Sequence, residues 1–149
     1  MAVDVTSDID IARGREEVAR YAADPDNVTA WYESIEAVEW ETPPPAAVGS
    51  RIAFVASFLF RRLSYTYEIV EWAPGERFVM RTAEGPFPME TTYTWTDTPA
   101  GGTRMTLRNR GEPAGFRGVA APLVARAIRR ANEKDLRRLK ELLEDRRPS

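Results

Sequence analysis

Val3, Val5, Ile9 and Ile11 alternate with Asp4, Thr6, Asp8 and Asp10. This is the period-two pattern of a strand with one wet face, and it predicts a first strand ending near Ala12. From Arg15 the period lengthens, and Val18, Tyr21 and Ala22 share one helical face. Asp24-Pro25 closes that helix and opens a second, with Asp24 as N-cap and Pro25 in the first helical position. The second short helix carries Val28, Trp31 and Tyr32. The alternating set Val38, Trp40, Thr42 then predicts a strand that Pro43-Pro44-Pro45 halts.

Residues 50–111 read almost wholly as strand and turn. The same-face sets are Ile52/Phe54/Ala56/Phe58, Leu63/Tyr65/Tyr67/Ile69, Phe78/Met80/Thr82, Met89/Thr91/Tyr93/Trp95 and Met105/Leu107/Asn109. They predict five antiparallel strands joined by turns at Arg61-Arg62, Pro74-Gly75, Gly85-Pro86 and Pro99-Ala100-Gly101-Gly102. A Gly- and Pro-rich stretch over residues 111–118 precedes the longest element, a helix expected over residues 119–145. At 100° per residue Val124, Ile128, Leu136, Leu139, Leu142 and Leu143 fall within an arc of about 120°, which predicts a buried stripe. Asn132 and Asp135 lie inside the same arc, and Arg129, Arg130, Glu133, Lys134, Arg137 and Lys140 lie outside it. Leaving an amide or a carboxylate on such a stripe costs about 1–3 kcal/mol or more without a partner. Both therefore require one: Asn109, a Tyr hydroxyl, a bound ligand, or water at a pocket mouth.

The chain's 149 residues, 43% apolar and 30% charged, fit one globular domain over residues 1–149 that buries a sizeable core. Cys and His are both absent. That excludes disulfides, thiolate nucleophiles, imidazole bases, Cys/His zinc sites and every Ser/His/Asp or Cys/His triad. No metal, cofactor or catalytic residue is assigned. The net charge of −2 divides unevenly, with nine Lys/Arg against five Asp/Glu in residues 126–149 and twelve against eighteen before them. No aromatics interleave with the basic residues of the tail, so it reads as a solvated helix face, supported by i,i+4 pairs such as Glu133 with Arg137, and nucleic acid is not an expected partner. Residues 1–10 have neither a basic start nor an apolar core, and no run approaches the length of a membrane span. The expectation is a cytoplasmic protein, monomer or homodimer.

A strand, two short helices, six antiparallel strands and a long amphipathic C-terminal helix form the order of an α+β helix-grip fold. In that fold a curved antiparallel sheet of about seven strands wraps round the last helix. Ala22-Ala23-Asp24-Pro25 with Trp31, Val48-Gly49-Ser50, the run from Tyr67 to Arg77 (YEIVEWAPGER) and Gly101-Gly102-Thr103-Arg104 strengthen this reading. Over essentially the whole chain the sequence resembles the polyketide cyclase/dehydrase-like branch of the START/birch-pollen-allergen superfamily (SRPBCC). The resemblance implies an apolar cavity between the sheet and the last helix, and hence binding, or carriage, of a small hydrophobic molecule such as a polyketide, aromatic metabolite or lipid.

The inward-facing residues Trp40, Phe54, Phe58, Tyr65, Tyr67, Met80, Met89, Tyr93 and Trp95 are the expected lining, with Trp31 and Tyr32 near the mouth. Phe78, Met105 and Leu107 share the concave face. Asn109, Asn132 and Asp135 add polar groups that orient a ligand. Four tyrosines among these residues suit a pocket for flat apolar molecules held by a few hydrogen bonds. The alternative the family offers is an enzyme that cyclises or dehydrates a polyketide-like chain by confinement. The bland alternatives are a filled core and a protein-interaction module using the basic helix face. Among the strand charges, Glu68, Arg81 and Arg108 are out of phase with the core and point to water. Glu71 is in phase with Ile69, unless a bulge near Trp72 turns it outward. Neither Gly101-Gly102 nor residues 111–118 has phosphate-loop spacing; they read as a turn and a hinge, the second a candidate gate to the cavity.

Overall fold

The computed structural model describes residues 3–59, 61–85, 88–112 and 120–145. The elements are β1 (Val3–Ile11), α1 (Arg15–Ala22), a 3-10 turn (Pro25–Asn27), α2 (Val28–Trp31), β2 (Ile35–Trp40), β3 (Arg51–Phe58), β4 (Arg61–Ala73), β5 (Arg77–Glu84), β6 (Met89–Asp97), β7 (Thr103–Gly111) and α3 (Ala121–Glu144). All seven strands form one antiparallel sheet in the order β1-β7-β6-β5-β4-β3-β2. This is the expected helix grip.

The burial of β1 follows its sequence, with Val3, Val5 and Ile11 inside and Asp4, Asp8 and Asp10 outside. Asp4 and Asp10 pair on the wet face with Arg108 and Arg104 of β7. The C-terminal end of α3 is fastened to the end of β1. Arg13 donates from Nε to the Leu143 carbonyl at 2.8 Å, the Ala12 amide donates to Glu144 Oε2 at 2.8 Å, and Lys140 Nζ donates to the Asp10 carbonyl at 2.8 Å. A guanidinium on the last helical carbonyls satisfies acceptors that the helix leaves open and complements its dipole. Leu136, Leu139 and Leu143 are thereby pressed into the core with Trp31, Trp95, Met105 and Leu107.

Two local details depart from the sequence reading, and a third is the bulge it left open near Trp72. Asp24 caps the 3-10 turn, accepting from the Asp26 amide at 3.0 Å, so the second helix is a single α turn behind it. Phe58 pairs with Arg61, so Arg61-Arg62 open β4, and Leu59, just after β3, takes φ 49°. Tight hairpins demand positive φ whatever the side chain, and here a leucine supplies it. In β4 the register shifts between Ile69 and Glu71 against β5, which turns Glu71 outward to meet Arg77 at 3.0 Å. Trp72 instead packs edge-on against Phe78 at 5.5 Å. Glu68, Arg81 and Arg108 point outward as alternation requires, and pair with Arg51, Glu90 and Asp4. Pro86 of the expected Gly85-Pro86 turn, residues 113–118 of the expected hinge, and Val119 lie outside the described residues.

Candidate functional site

A cavity of about 140 Å³ lies between the concave face of β3–β7 and the first half of α3. Phe54, Phe58, Tyr65, Tyr67, Met80, Met89 and Tyr93 line it from the sheet, and Val124, Ile128 and Ala131 from the helix. Tyr32, in the segment joining α2 to β2, lines it from a third side and shares a 2.7 Å hydrogen bond with the Tyr93 hydroxyl. Burial holds the Tyr32, Tyr65, Tyr67 and Tyr93 hydroxyls above the ordinary phenol range, so all four stay protonated at neutral pH. Phe54, Tyr65 and Tyr67 form one aromatic group, with ring centroids 5.1–5.8 Å apart.

The two polar residues of the α3 stripe are each 3% exposed and each has a partner. Asp135 Oδ1 accepts from the Glu33 amide at 3.1 Å, tying α3 to the α2–β2 segment. Burial is the main reason its carboxyl titrates at about 6, and the Glu33 carboxylate adds to the rise. The Glu33 amide and Lys134 oppose it. Asn132 Oδ1 accepts from Asn109 Nδ2 at 3.1 Å, and Asn109 Oδ1 accepts from Thr91 Oγ1 at 2.7 Å. The Tyr67 hydroxyl is 3.1 Å from the same Thr91 oxygen. Asn109 and Thr91 are register partners on β7 and β6, so the sheet itself sets this contact.

Of the residues expected to surround a ligand, Tyr32, Phe54, Phe58, Tyr65, Tyr67, Met80, Met89, Tyr93, Asn109, Asn132 and Asp135 are brought together on the cavity wall. Trp31, Trp40 and Trp95 are not. Trp31 is buried behind Tyr32 and Tyr93, its ring 4.3 Å and 5.8 Å from theirs, and Trp95 sits at the filled end of the sheet beside its register partner Met105. Trp40 lies at the end of β2, where its indole nitrogen donates to Asp26 Oδ1 at 2.8 Å. Phe78, Met105 and Leu107 likewise belong to the filled core.

A family model described as polyketide cyclase/dehydrase and lipid transport matches residues 2–144. The chain belongs to this family. A search of curated protein sequences finds no match. Among solved structures, TTHA0849 from Thermus thermophilus superposes with a TM-score of 0.80 at 24% identity, over 96% of this chain and 99% of that one. The ZhuI aromatase/cyclase from Streptomyces sp. R1128 does so with 0.78 at 16% identity, over 97% and 94%. A START superfamily protein from Mycobacterium smegmatis gives 0.72 at 13% identity, over 95% and 94%. At these identities the likeness is one of fold.

In this member of the polyketide cyclase/dehydrase and lipid transport family, pattern reading passed over Thr91 and Thr82 as wall residues. Their signal was present, since each is the polar member of an inward-facing strand set. Val28, Ser34, Leu63 and Ala131 were passed over too, and for these periodicity held no sign that they border empty space. Among the described residues no group of three or more Asp/Glu is placed to hold a metal ion, and no helix is long and apolar enough to cross a membrane.

Proposed function

We propose that the protein binds, and carries, a small hydrophobic molecule in the cavity between its sheet and α3. The observation that supports this best is the unfilled space itself. Proteins close-pack their interiors, and a void walled by Phe, Met and Tyr side chains forfeits contacts that a ligand restores. Its protonated phenols and carboxamides suit orientation by a few hydrogen bonds. Native mass spectrometry of gently purified protein, followed by denaturation, tests the proposal. The expected result is a stoichiometric apolar compound released on unfolding, or uptake from a mixed lipid and aromatic library. Absence of both overturns it.

Asp135 favours a second reading, in which the cavity cyclises or dehydrates a polyketide-like chain. A wall carboxyl titrating at about 6 exchanges protons readily near neutral pH. Turnover of a β-keto substrate, lost in Asp135→Asn, supports it. Turnover retained in that variant removes Asp135 from the chemistry, and no turnover in the wild type removes the reading.

A further inference from the structure

A second hollow, a groove of about 530 Å³, lies between α2, the link that follows it and the middle of α3, and the exposed Lys134, Arg137 and Arg138 border it. Tyr32, Ile35 and Asp135 line both this groove and the cavity. A single layer of side chains therefore separates the cavity from the surface at this place. Elsewhere among the described residues the boundary is stronger. Strands β3–β7 are hydrogen-bonded neighbours in one sheet, and the second half of α3 is fastened to β1 through Ala12, Arg13 and Lys140.

The link from α2 to β2 is short and lightly held. Trp31 and Ile35 are buried at its two ends, and the Ser34 carbonyl accepts from the Ser57 amide at 2.8 Å, so the part able to move is Tyr32 and Glu33. The Tyr32 hydroxyl shares its 2.7 Å bond with Tyr93, the Glu33 amide donates to Asp135 Oδ1 at 3.1 Å, and the Glu33 carboxylate meets Lys134 Nζ at 2.8 Å. The last of these joins two exposed side chains and adds little. The other two are single hydrogen bonds of modest net worth. Segments that open for ligands are drawn from parts of a fold held as lightly as this.

We infer that Tyr32 is the door of the cavity: the ligand passes between the α2–β2 link and α3 when the link lifts and the Tyr32 side chain turns out of the cavity wall into the groove. This rests on the reading of the cavity as the ligand site. The bond to Tyr93 latches the closed position, and the two contacts of Glu33 with α3 hold the frame. At about 530 Å³ the groove has room for the displaced phenol ring. A door differs from a wall contact in its kinetics. It changes entry and exit by one factor and leaves affinity alone, whereas a wall contact acts on affinity through the exit rate.

Fluorobenzene is a probe of suitable size for a cavity of about 140 Å³, since roughly 150 Å³ accepts benzene. Fluorine NMR exchange spectroscopy reads its rates and its affinity together. The chain has no cysteine, so Glu33→Cys/Lys134→Cys supplies the protein's only two thiols, at exposed positions. The backbone amide that Asp135 accepts from is kept. Bridging the thiols with dibromobimane ties the link to α3. The expected result is entry and exit both slowed by about tenfold or more relative to the unbridged pair, with Kd within about twofold. Tyr32→Phe keeps the ring and removes the latch, and should speed both rates by about threefold to tenfold at an unchanged Kd. Equal rates with and without the bridge overturn the inference and put the entrance elsewhere on the chain. A Tyr32→Phe variant with unchanged rates, or with its exit rate alone changed, overturns it too and makes Tyr32 a wall residue only. Should the bridge fail to close, the Tyr32→Phe rates decide by themselves. Failure of fluorobenzene to bind the wild type overturns the cavity reading and the inference with it.

Discussion

The two halves of α3 face the same sheet with opposite results. Leu136, Leu139 and Leu143, in the second half, are fully buried against Trp31, Trp95, Met105 and Leu107, and the space between helix and sheet is filled. Val124, Ile128, Ala131 and Asn132, in the first half, border a cavity. The strands change in step. Along β6 the inward residues run Trp95, Tyr93, Thr91, Met89, and along β7 they run Met105, Leu107, Asn109, so large apolar groups give way to smaller and polar ones at the same level. Hollowing and polarity coincide: one end of a single core is filled, and the other is left open beside its polar residues.

Truncation in the filled half separates the two ends most strongly. Leu139→Ala removes a fully buried side chain that rigid neighbours cannot replace, and should lower unfolding free energy by about 2–5 kcal/mol in a urea titration. Ile128→Ala removes a half-buried side chain already beside a void, and should cost about 1 kcal/mol. Equal losses at the two positions would mean that the first half of α3 is as closely packed as the second.

Asp135 stands at the junction, one residue before Leu136, and its titration sharpens the contrast. Its carboxyl is surrounded by the Glu33 amide and carboxylate, Lys134, and the Tyr32 and Tyr93 hydroxyls. Burial raises its native pKa from 3.8 to about 6. A raised carboxylate means that the native state binds the proton more tightly than the unfolded state. The group therefore penalises stability in full above its native value, and the penalty fades as pH falls through 6 towards 3.8. Asp135→Asn keeps an oxygen for the Glu33 amide and removes the buried charge. It should be more stable than wild type by about 2–3 kcal/mol at neutral pH, with the difference vanishing near pH 4. Paired denaturation curves across that range check this, and a constant difference would place the carboxyl in water.

Seven strands and the helix stripe were legible because alternation and the 3.6-residue period report which way a side chain points. The same signal exposed Asn132 and Asp135, as breaks in a stripe that otherwise holds Leu, Ile and Val. Occupancy is another matter. Trp95 and Met89 are both inward-facing members of one set, yet one meets packed side chains and the other a void, because that depends on what α3 presents opposite each. Register could be named only as an alternative, the bulge near Trp72, for a related reason. The shift between Ile69 and Glu71 that sends Glu71 to Arg77, and the turn at Leu59, are settled by pairing across strands. Neither carries the glycine or asparagine by which such features are read from sequence.

Adding volume in the hollow half gives the smallest stability effect and the clearest separation of stability from binding. Ala131 is half-buried on the cavity wall one residue before Asn132, so a larger side chain there has space to enter. Ala131→Leu adds three carbons, which gain contact with Met and aromatic side chains at the expense of a cavity of about 140 Å³. Filling a void of this kind stabilises by about 1 kcal/mol. Thermal unfolding should therefore show a small rise in midpoint while uptake of any small apolar probe that the wild type binds is lost. The opposed signs are what distinguish a cavity kept open for a ligand from slack in the packing. If Ala131→Leu raised stability and left uptake intact, the bound molecule would have to sit elsewhere on the chain.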